Sequence, residues 1–401
     1  MAQSGGPTAA INSTLAGALV AAITTDEIDH IYGARHGIEG VLEDEIISLD
    51  ELANNQDQLN LLLQTPSSVL GSCRYRLVDH IQNEKEHQQI LDVLKKYSIK
   101  IFVYIGGNDS MDTVDKLARF MKERGEDIVV LGAPKTIDND LVGIDHTPGY
   151  GSAAKYIATT MSELERDTKI YNLRNVLIVE IMGRNTGWLT AASALAKLSG
   201  AEGPDLIYLS EQPFTFEEFS RQIEDLFKVK DTIIIAVSEG LKNPYGDYVS
   251  EIVTDYQYDD FGHKDTSGVA QTLAGFVKRE FNCKVRGIEL STLQRCGSHL
   301  ASLTDIEEAR KLGYYAVQYG LEGRSGVMSS LCRKDTEGYE VEYFPTDVKE
   351  VANKEKKVPQ EWLDLEKHQI KKEFWDYLVP LIQGNFYPID NQGIPEHLIL
   401  F

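Results

Sequence analysis

The 401-residue chain carries 40 Lys and Arg against 62 Asp and Glu, a net charge of −22, with 42% hydrophobic and 25% charged residues. At roughly 150 residues per domain that length leads us to expect two to three domains, and the composition is globular, with material for a sizeable core. The acidic balance excludes a general nucleic-acid binder, which needs Lys and Arg in excess, and disfavours adhesion to anionic lipid; basic residues inside a cleft can still reverse the field for a small anion.

The chain begins with a Gly-rich loop, Gln3-Ser4-Gly5-Gly6-Pro7-Thr8, which reads as a phosphate cradle opening a helix from about Ala9. Only Met1 and Ala2 stand before it, which predicts either a loop with no feeding strand or a sheet without its first strand. Asn12-Ser13-Thr14 fits a glycosylation sequon, but no basic-then-apolar secretory pattern accompanies it. Further on, Arg74 and Arg76 flank Tyr75 after Leu70-Gly71-Ser72-Cys73. Arginine forks suit phosphate oxygens, although a surface pair is the commoner use.

From Ile101 the pattern becomes strand, polar loop, helix, repeated. Ile101–Ile105 runs into Gly106-Gly107-Asn108-Asp109-Ser110, Ile128–Leu131 into Gly132-Ala133-Pro134, Val176–Ile181 into Met182-Gly183-Arg184, and Thr232–Val237 into Ser238-Glu239-Gly240. Asp112–Arg124 and Ala153–Arg166 have helical spacing between them. Such alternation predicts an α/β fold on parallel sheets, with ligand loops at the carboxyl ends of the strands. Gly106–Ser110 alone is equally a tight strand-to-helix turn. Pro134-Lys135-Thr136-Ile137-Asp138-Asn139-Asp140 says more. Asp138 and Asp140 are two apart, so in extended geometry they share a face. One carboxylate can take a hydroxyl proton while the other orients the substrate or its metal, as phosphoryl transfer to an alcohol requires; an Asx-rich turn is the bland alternative.

Gly149–Ala154 fits G-x-G-x-x-A without a preceding strand, so a dinucleotide fingerprint is not supported, and no Walker, H-E-x-x-H or G-x-S-x-G motif occurs. Arg184, Arg286 and Arg295 are further phosphate candidates. Cys73, Cys283, Cys296 and Cys332 have no metal-ligand spacing and read as thiols of a reducing compartment. No run approaches the ~20 apolar residues of a membrane span, so we expect a soluble, cytoplasmic protein. After about Asp347 the chain is charge-rich, with Trp362 and Trp375 as apolar anchors, and reads as outer helices with solvated faces.

Together, Ser4–Thr8, Gly71–Tyr75, Gly106–Ser110, Pro134–Asp140, Glu180–Gly187, Val237–Gly240 and Gln294-Arg295 resemble the phosphofructokinase family in order and spacing. The resemblance implies two Rossmann-like α/β lobes with an active-site cleft between them, plus a C-terminal helical extension. Residues 1–150 and 294–345 would bind the phosphate donor, 151–293 the sugar phosphate, and 346–401 would form the extension. It makes Asp138 the general base for the 1-hydroxyl of fructose 6-phosphate, with Thr136 and Asp140 positioning that acceptor. Met182, Gly183, Arg184 and Glu239 would bind the sugar phosphate, Arg286 and Arg295 its 6-phosphate, and Gly6, Arg74 and Ser110 the donor phosphates. Arg286 would act on a neighbouring subunit's site, implying a homodimer or homotetramer.

Asp109 and Lys135 match the family's pyrophosphate-using branch, where ATP users of the bacterial type carry Gly. Their bulk and charge fill the space of a nucleotide's α-phosphate and ribose, and Lys135 neutralises pyrophosphate. The implied activity is reversible phosphoryl transfer from pyrophosphate to fructose 6-phosphate with Mg2+. Asn108 stands where many members have Asp, which leaves Asp109 as the expected metal ligand. Thr292 and Asn175 occupy positions of a substrate-binding His and Arg in relatives. The same reaction with ATP is one alternative; a non-catalytic sugar-phosphate-binding subunit, or an N-terminally truncated inactive form, is another.

Overall fold

A computed structural model describes residues 1–252 and 268–401. The chain divides into two compact units: Met1–Ser152 with Arg295–Lys356 and Gln383–Phe401, and Ala153–Gln294 with Lys357–Ile382. Among the described residues the main sheets are built from β1 (Ala2–Gln3), β2 (Tyr32–Ala34), β3 (Ile46–Ser48), β4 (Ile101–Gly106), β5 (Val129–Pro134), β6 (Asn175–Ile181), β7 (Leu206–Tyr208), β8 (Thr232–Ser238), β9 (Lys284–Glu289), β10 (Val327–Arg333) and β11 (Val341–Asp347).

The first unit holds a seven-stranded sheet in the order β11-β10-β5-β4-β1-β2-β3. Its central pairs are parallel, and β3 and β11 close the edges antiparallel. The alternation along β4 explains its two cores. Phe102 and Tyr104 join Ile90, Leu94, Met111, Leu117 and Phe120 on one face. Val103 and Ile105 join Ile11, Leu15, Leu19, Ala316 and Val317 on the other. The second unit holds a four-stranded, all-parallel sheet, β7-β8-β6-β9. Val176, Ile178, Ile233 and Ile235 pack there on Phe219, Ile223 and Leu273.

Contrary to the sequence expectation, the first Gly-rich loop is strand-fed. The feeding strand β1 is two residues long and lies between β4 and β2, pairing Ala2 with Tyr104 and Ala34, and Gln3 with Ile105. So short a strand carries no periodicity to read. Its side chains hold it instead. Gln3, fully buried, donates to Asn12 Oδ1 (2.9 Å) and accepts from the Leu70 N–H (3.0 Å). Asn12 donates to Thr65 O (2.8 Å) and accepts from the Val69 N–H (3.0 Å). Asn12, read above as part of a sequon, is therefore a buried connector between the first helix, Ile11–Ile23, and the segment that leads to Arg74.

The C-terminal region contains short helices, Val348–Val351 and Lys372–Leu378, and also two-stranded hairpins at Leu363–Asp364/Gln369–Ile370 and Asp390–Asn391/Ile394–Pro395. Pro359, Pro380, Pro388 and Gly384 interrupt the charge-rich runs and keep the helices short. Trp362 anchors the region as expected, 6.2 Å from Trp188 between ring centroids. The other anchor is the buried Phe374 rather than its half-buried neighbour Trp375.

Replacing Asn12 with Ala leaves Gln3 Nε2, the Val69 N–H and Thr65 O without their buried partner. The expected loss is about 2–4 kcal/mol of unfolding free energy, read as a lower denaturant midpoint at unchanged m-value.

Candidate active site

In the first unit three loops leave the sheet side by side. Gln3 is level with Ile105, and Ile105 with Ala133, so Ser4–Gly6, Gly106–Ser110 and Lys135–Asp140 emerge from adjacent carboxyl strand ends. The first loop is fixed from both sides. The Ser4 N–H donates to Ile105 O (2.9 Å) and the Gly5 N–H to Cys73 O (3.1 Å), while Ser72 Oγ donates to Gly5 O (2.6 Å). Ser110 Oγ donates to Ser4 Oγ (3.0 Å), which ties the second loop to the first. The Lys135 N–H donates to Gly106 O (2.8 Å) and ties the third to the second.

Lys135 is the focus of this unit. Its side chain is 2% exposed, and its ammonium donates to Gly6 O against the Gly5-Gly6 turn, where a side chain on Gly5 would meet Nζ at 3.3 Å. Burial lowers its pKa to about 8, helped by the positive charges of Arg295 and Arg74 and opposed by Asp138 and Asp140. A side chain on Gly6 would meet an Arg295 guanidinium nitrogen at 3.2 Å. The structure thus gathers Gly6, Arg74, Lys135, Asp138, Asp140 and Arg295 into one electrostatic cluster. It places Arg295 at the Gly5-Gly6 loop, whereas the resemblance linked that residue to the sugar.

The catalytic-loop residues sit in a turn rather than in an extended strand. Thr136 Oγ1 accepts from the Asp138 N–H (3.1 Å) and lies 3.5 Å from Asp138 Oδ2, and Asn139 is left-handed with φ +52°. The expected shared face of Asp138 and Asp140 is replaced by this bend, which still keeps both carboxyls beside Lys135. Asp140 has its Oδ1 enclosed with no hydrogen-bond partner among the described residues. Burial first, then the charge of Asp138, pushes its pKa up to about 7.

The loop returns through Thr147 and Gly149. Thr147 donates by Oγ1 to Thr136 O (2.8 Å) and by its N–H to Asn139 Oδ1 (3.1 Å). Asp305 accepts from the N–H groups of Gly149 (2.9 Å) and Ser152 (3.0 Å) and from Ser152 Oγ (2.5 Å). Asp305 is fully enclosed, and burial raises its pKa. Sequence reasoning missed it; an Asp on an amphipathic helix far along the chain carries no local signal.

Asp109 and Ser110 lie in the first turn of the Asn108–Glu123 helix, Asp109 exposed and Ser110 buried. Among the described residues no group of three or more His, Cys, Asp or Glu forms a ready metal cage. Mg2+ keeps several waters and commonly takes one or two carboxylates plus substrate phosphates. An exposed Asp109 in the first turn of a helix fits that mode.

In the second unit, the ends of β6 and β8 converge. The Gly183 N–H donates to Glu239 Oε1 (3.2 Å), the Met182 N–H to Gln294 Oε1 (3.3 Å), and the Glu239 N–H to Ile181 O (2.9 Å). Gly240 packs so closely on Arg184 that an added Cβ would stand 1.8 Å from the Arg184 carbonyl oxygen. Met182, Gly183, Arg184 and Glu239 are therefore brought together as expected from their strand ends. Glu180 lies beneath them and accepts the N–H groups of Gly268 (3.2 Å) and Ala270 (2.8 Å). Burial, with the charges of Glu289 and Glu239, pushes its pKa up to about 8.

Arg286 is not part of that group. It pairs in register with Leu177, five residues before Met182 or about 16 Å along the strand. It is exposed on the edge strand β9 and forms an ion pair with Asp167 at 3.5 Å.

Residues 1–319 match the family model described as phosphofructokinase. The chain is 36% identical to a pyrophosphate–fructose 6-phosphate 1-phosphotransferase of Xanthomonas campestris, over 100% of this chain and 95% of that one. It is 34% identical to the Halomonas elongata protein of the same name, over 98% and 94%. Its fold superimposes on a solved structure, the pyrophosphate-dependent phosphofructokinase of Nitrosospira multiformis, with a TM-score of 0.89 at 33% identity, covering 99% and 94% of the two chains.

The raised pKa of Asp140 has a definite sign for stability. Its folded value lies above the ordinary 3.8, so its proton-linked stability is full below about pH 4 and is lost as pH rises through about 7. Asp140→Asn should therefore raise the thermal midpoint at pH 7.5 and leave it near the wild-type value at pH 4; equal shifts at both pH values would remove the proton from Asp140.

Proposed function

The chain belongs to the phosphofructokinase family, and from that premise we propose that it transfers a phosphoryl group from pyrophosphate to the 1-hydroxyl of fructose 6-phosphate, reversibly, giving fructose 1,6-bisphosphate and orthophosphate. The observation that carries the reading is the ammonium of Lys135 pressed against the Gly5-Gly6 turn, with Asp138 and Asp140 in the same loop. Relatives named for this reaction and aligned over nearly the whole chain support it.

The hydroxyl oxygen attacks the nearer phosphorus of pyrophosphate. The new O–P bond forms as the bridging P–O bond breaks, orthophosphate leaves, and the hydroxyl proton passes to Asp138. Thr136, 3.5 Å from the Asp138 carboxylate, keeps it oriented, and Asp140 in the same loop positions the acceptor. Lys135, Arg74 and Arg295 offset charge on the donor, and Gly6 and Ser110 hold the loops that receive it. Catalysis is positioning and preorganised charge, so the same groups serve both directions. Asp109 would hold Mg2+, which when bound supplies neutralisation of the donor phosphates. Met182, Gly183, Arg184 and Glu239 receive the sugar phosphate. Arg286, exposed and distant from them along its own strand, fits the 6-phosphate site of a second copy, which makes the active form a homodimer or homotetramer.

Bisphosphate formation from fructose 6-phosphate and Mg2+ is expected with pyrophosphate and not with ATP; turnover with ATP alone would overturn the donor assignment. Asp138→Ser should lower kcat by about 10²–10⁴-fold with sugar KM within about threefold. Near-normal turnover in that variant removes Asp138 from the role. The double variant Asp109→Gly/Lys135→Gly should weaken pyrophosphate use by on the order of 10²-fold or more in kcat/KM. Unchanged kinetics would refute the steric and electrostatic argument for the donor.

A further inference from the structure

The catalytic loop has little secondary structure of its own. Between the end of β5 and the Tyr150–Thr168 helix it turns through the left-handed residues Asn139 (φ +52°) and Gly143 (φ +75°). Several of its carbonyls point away from any ladder. Donors for three of its carbonyls come from Lys356, far downstream and past the stretch the family model matches.

The Lys356 N–H donates to Asp140 O (2.7 Å). Its ammonium enters the loop and donates to Asp145 O (2.7 Å), Ile144 O (3.2 Å) and Asn139 Oδ1 (3.4 Å), three oxygens for three N–H groups. Two residues earlier the same segment grips the donor loop. Asn108 Nδ2 donates to Lys354 O (2.6 Å), and Asn108 Oδ1 accepts from the Asn353 N–H (2.6 Å). Asn353 Nδ2 adds a bond to Asp112 Oδ1 (3.1 Å). The side chain at 108 must donate and accept at once, which Asn does and a carboxylate does not.

We propose that residues 353–356 are a strap cross-linking the donor loop to the catalytic loop, and that Lys356 is a positioning residue for Asp138 and Asp140. The inference rests on the phosphotransferase reading of that loop. The charged and titratable groups facing Lys356 are Asp140 and Asp145 from the loop and Arg333 from β10, with Glu355 beside Asp140. Behind Asp145 stand His146 (2.8 Å from it), Glu308 (2.6 Å from His146) and Tyr339, which donates to Glu308 (2.7 Å). Burial lowers the pKa of Lys356 to about 8, and the two Asp charges oppose that shift. At neutral pH the ammonium therefore remains a cation beside Asp140 and Asp145.

The test compares Lys356→Met and Asn108→Asp with the wild-type full chain. Displacing the loop by a fraction of an ångström should lower kcat of Lys356→Met by on the order of 10²-fold, with both KM values within about threefold. Loss of the cation should move the rising limb of kcat against pH upward by about one unit. Asn108→Asp, at the exposed end of the strap, should lower kcat by about 5–10-fold and serves if Lys356→Met does not fold. In both variants amide exchange across residues 137–147 should quicken by at least about tenfold while the rest of the first unit keeps its protection. An unmoved pH limb with kcat falling only in proportion to folded protein, or a rise in exchange throughout the unit, overturns the proposal. Wild-type turnover with neither donor would refute the phosphotransferase reading itself, and the exchange of residues 137–147 then decides the strap alone.

Discussion

A buried ammonium at the end of β5 is the constraint around which the first unit is arranged. Desolvating Lys135 is costly unless opposite charge and hydrogen-bond acceptors surround it. The chain meets that demand with the Gly6 carbonyl on one side and Asp138 and Asp140 on the other. The same arrangement brings the positive charges of Lys135, Arg74 and Arg295 together near a glycine turn, the place proposed above for a polyanionic donor.

Holding that cluster is mostly backbone work done by distant side chains. Gln3 and Asn12 fasten the two-residue strand β1 to the first helix and to the segment before Arg74. Asp305 gathers the N–H groups of Gly149 and Ser152, so the catalytic loop returns to a fixed point. Glu180 does the corresponding task beneath the second unit's loops by accepting Gly268 and Ala270. Each is a buried carboxyl or amide that bonds at least one main-chain group, and each pairing offsets a desolvation cost that an apolar residue would avoid. Such residues make the loops specific in shape.

The site was legible in the sequence where function sits directly after a strand. Gly106–Ser110, Lys135–Asp140, Met182–Arg184 and Glu239 all follow runs of apolar residues that announce themselves, and the strand-end rule places ligand loops there. The readings that changed are those without local pattern. A two-residue strand has no alternation to detect, so β1 was invisible. Asn12 matched only a sequon pattern, and Asn-x-Ser/Thr says nothing about burial. Trp375 looked like an anchor by size, while the smaller Phe374 occupies the buried side of its short helix.

By itself the sequence determined the α/β class, the family resemblance and the loops from which candidate phosphate and acid-base groups are proposed, because these depend on residue type and short spacing. Tertiary structure alone decided which groups share a field. It placed Arg295 against Gly6, left Arg286 on the edge of β9 away from Met182–Arg184, and brought Lys356 into the turn of Asp140. The physical reason is range. Strand periodicity and turn chemistry act over a few residues, whereas desolvation and hydrogen bonding between residues two hundred positions apart exist only once the chain has folded.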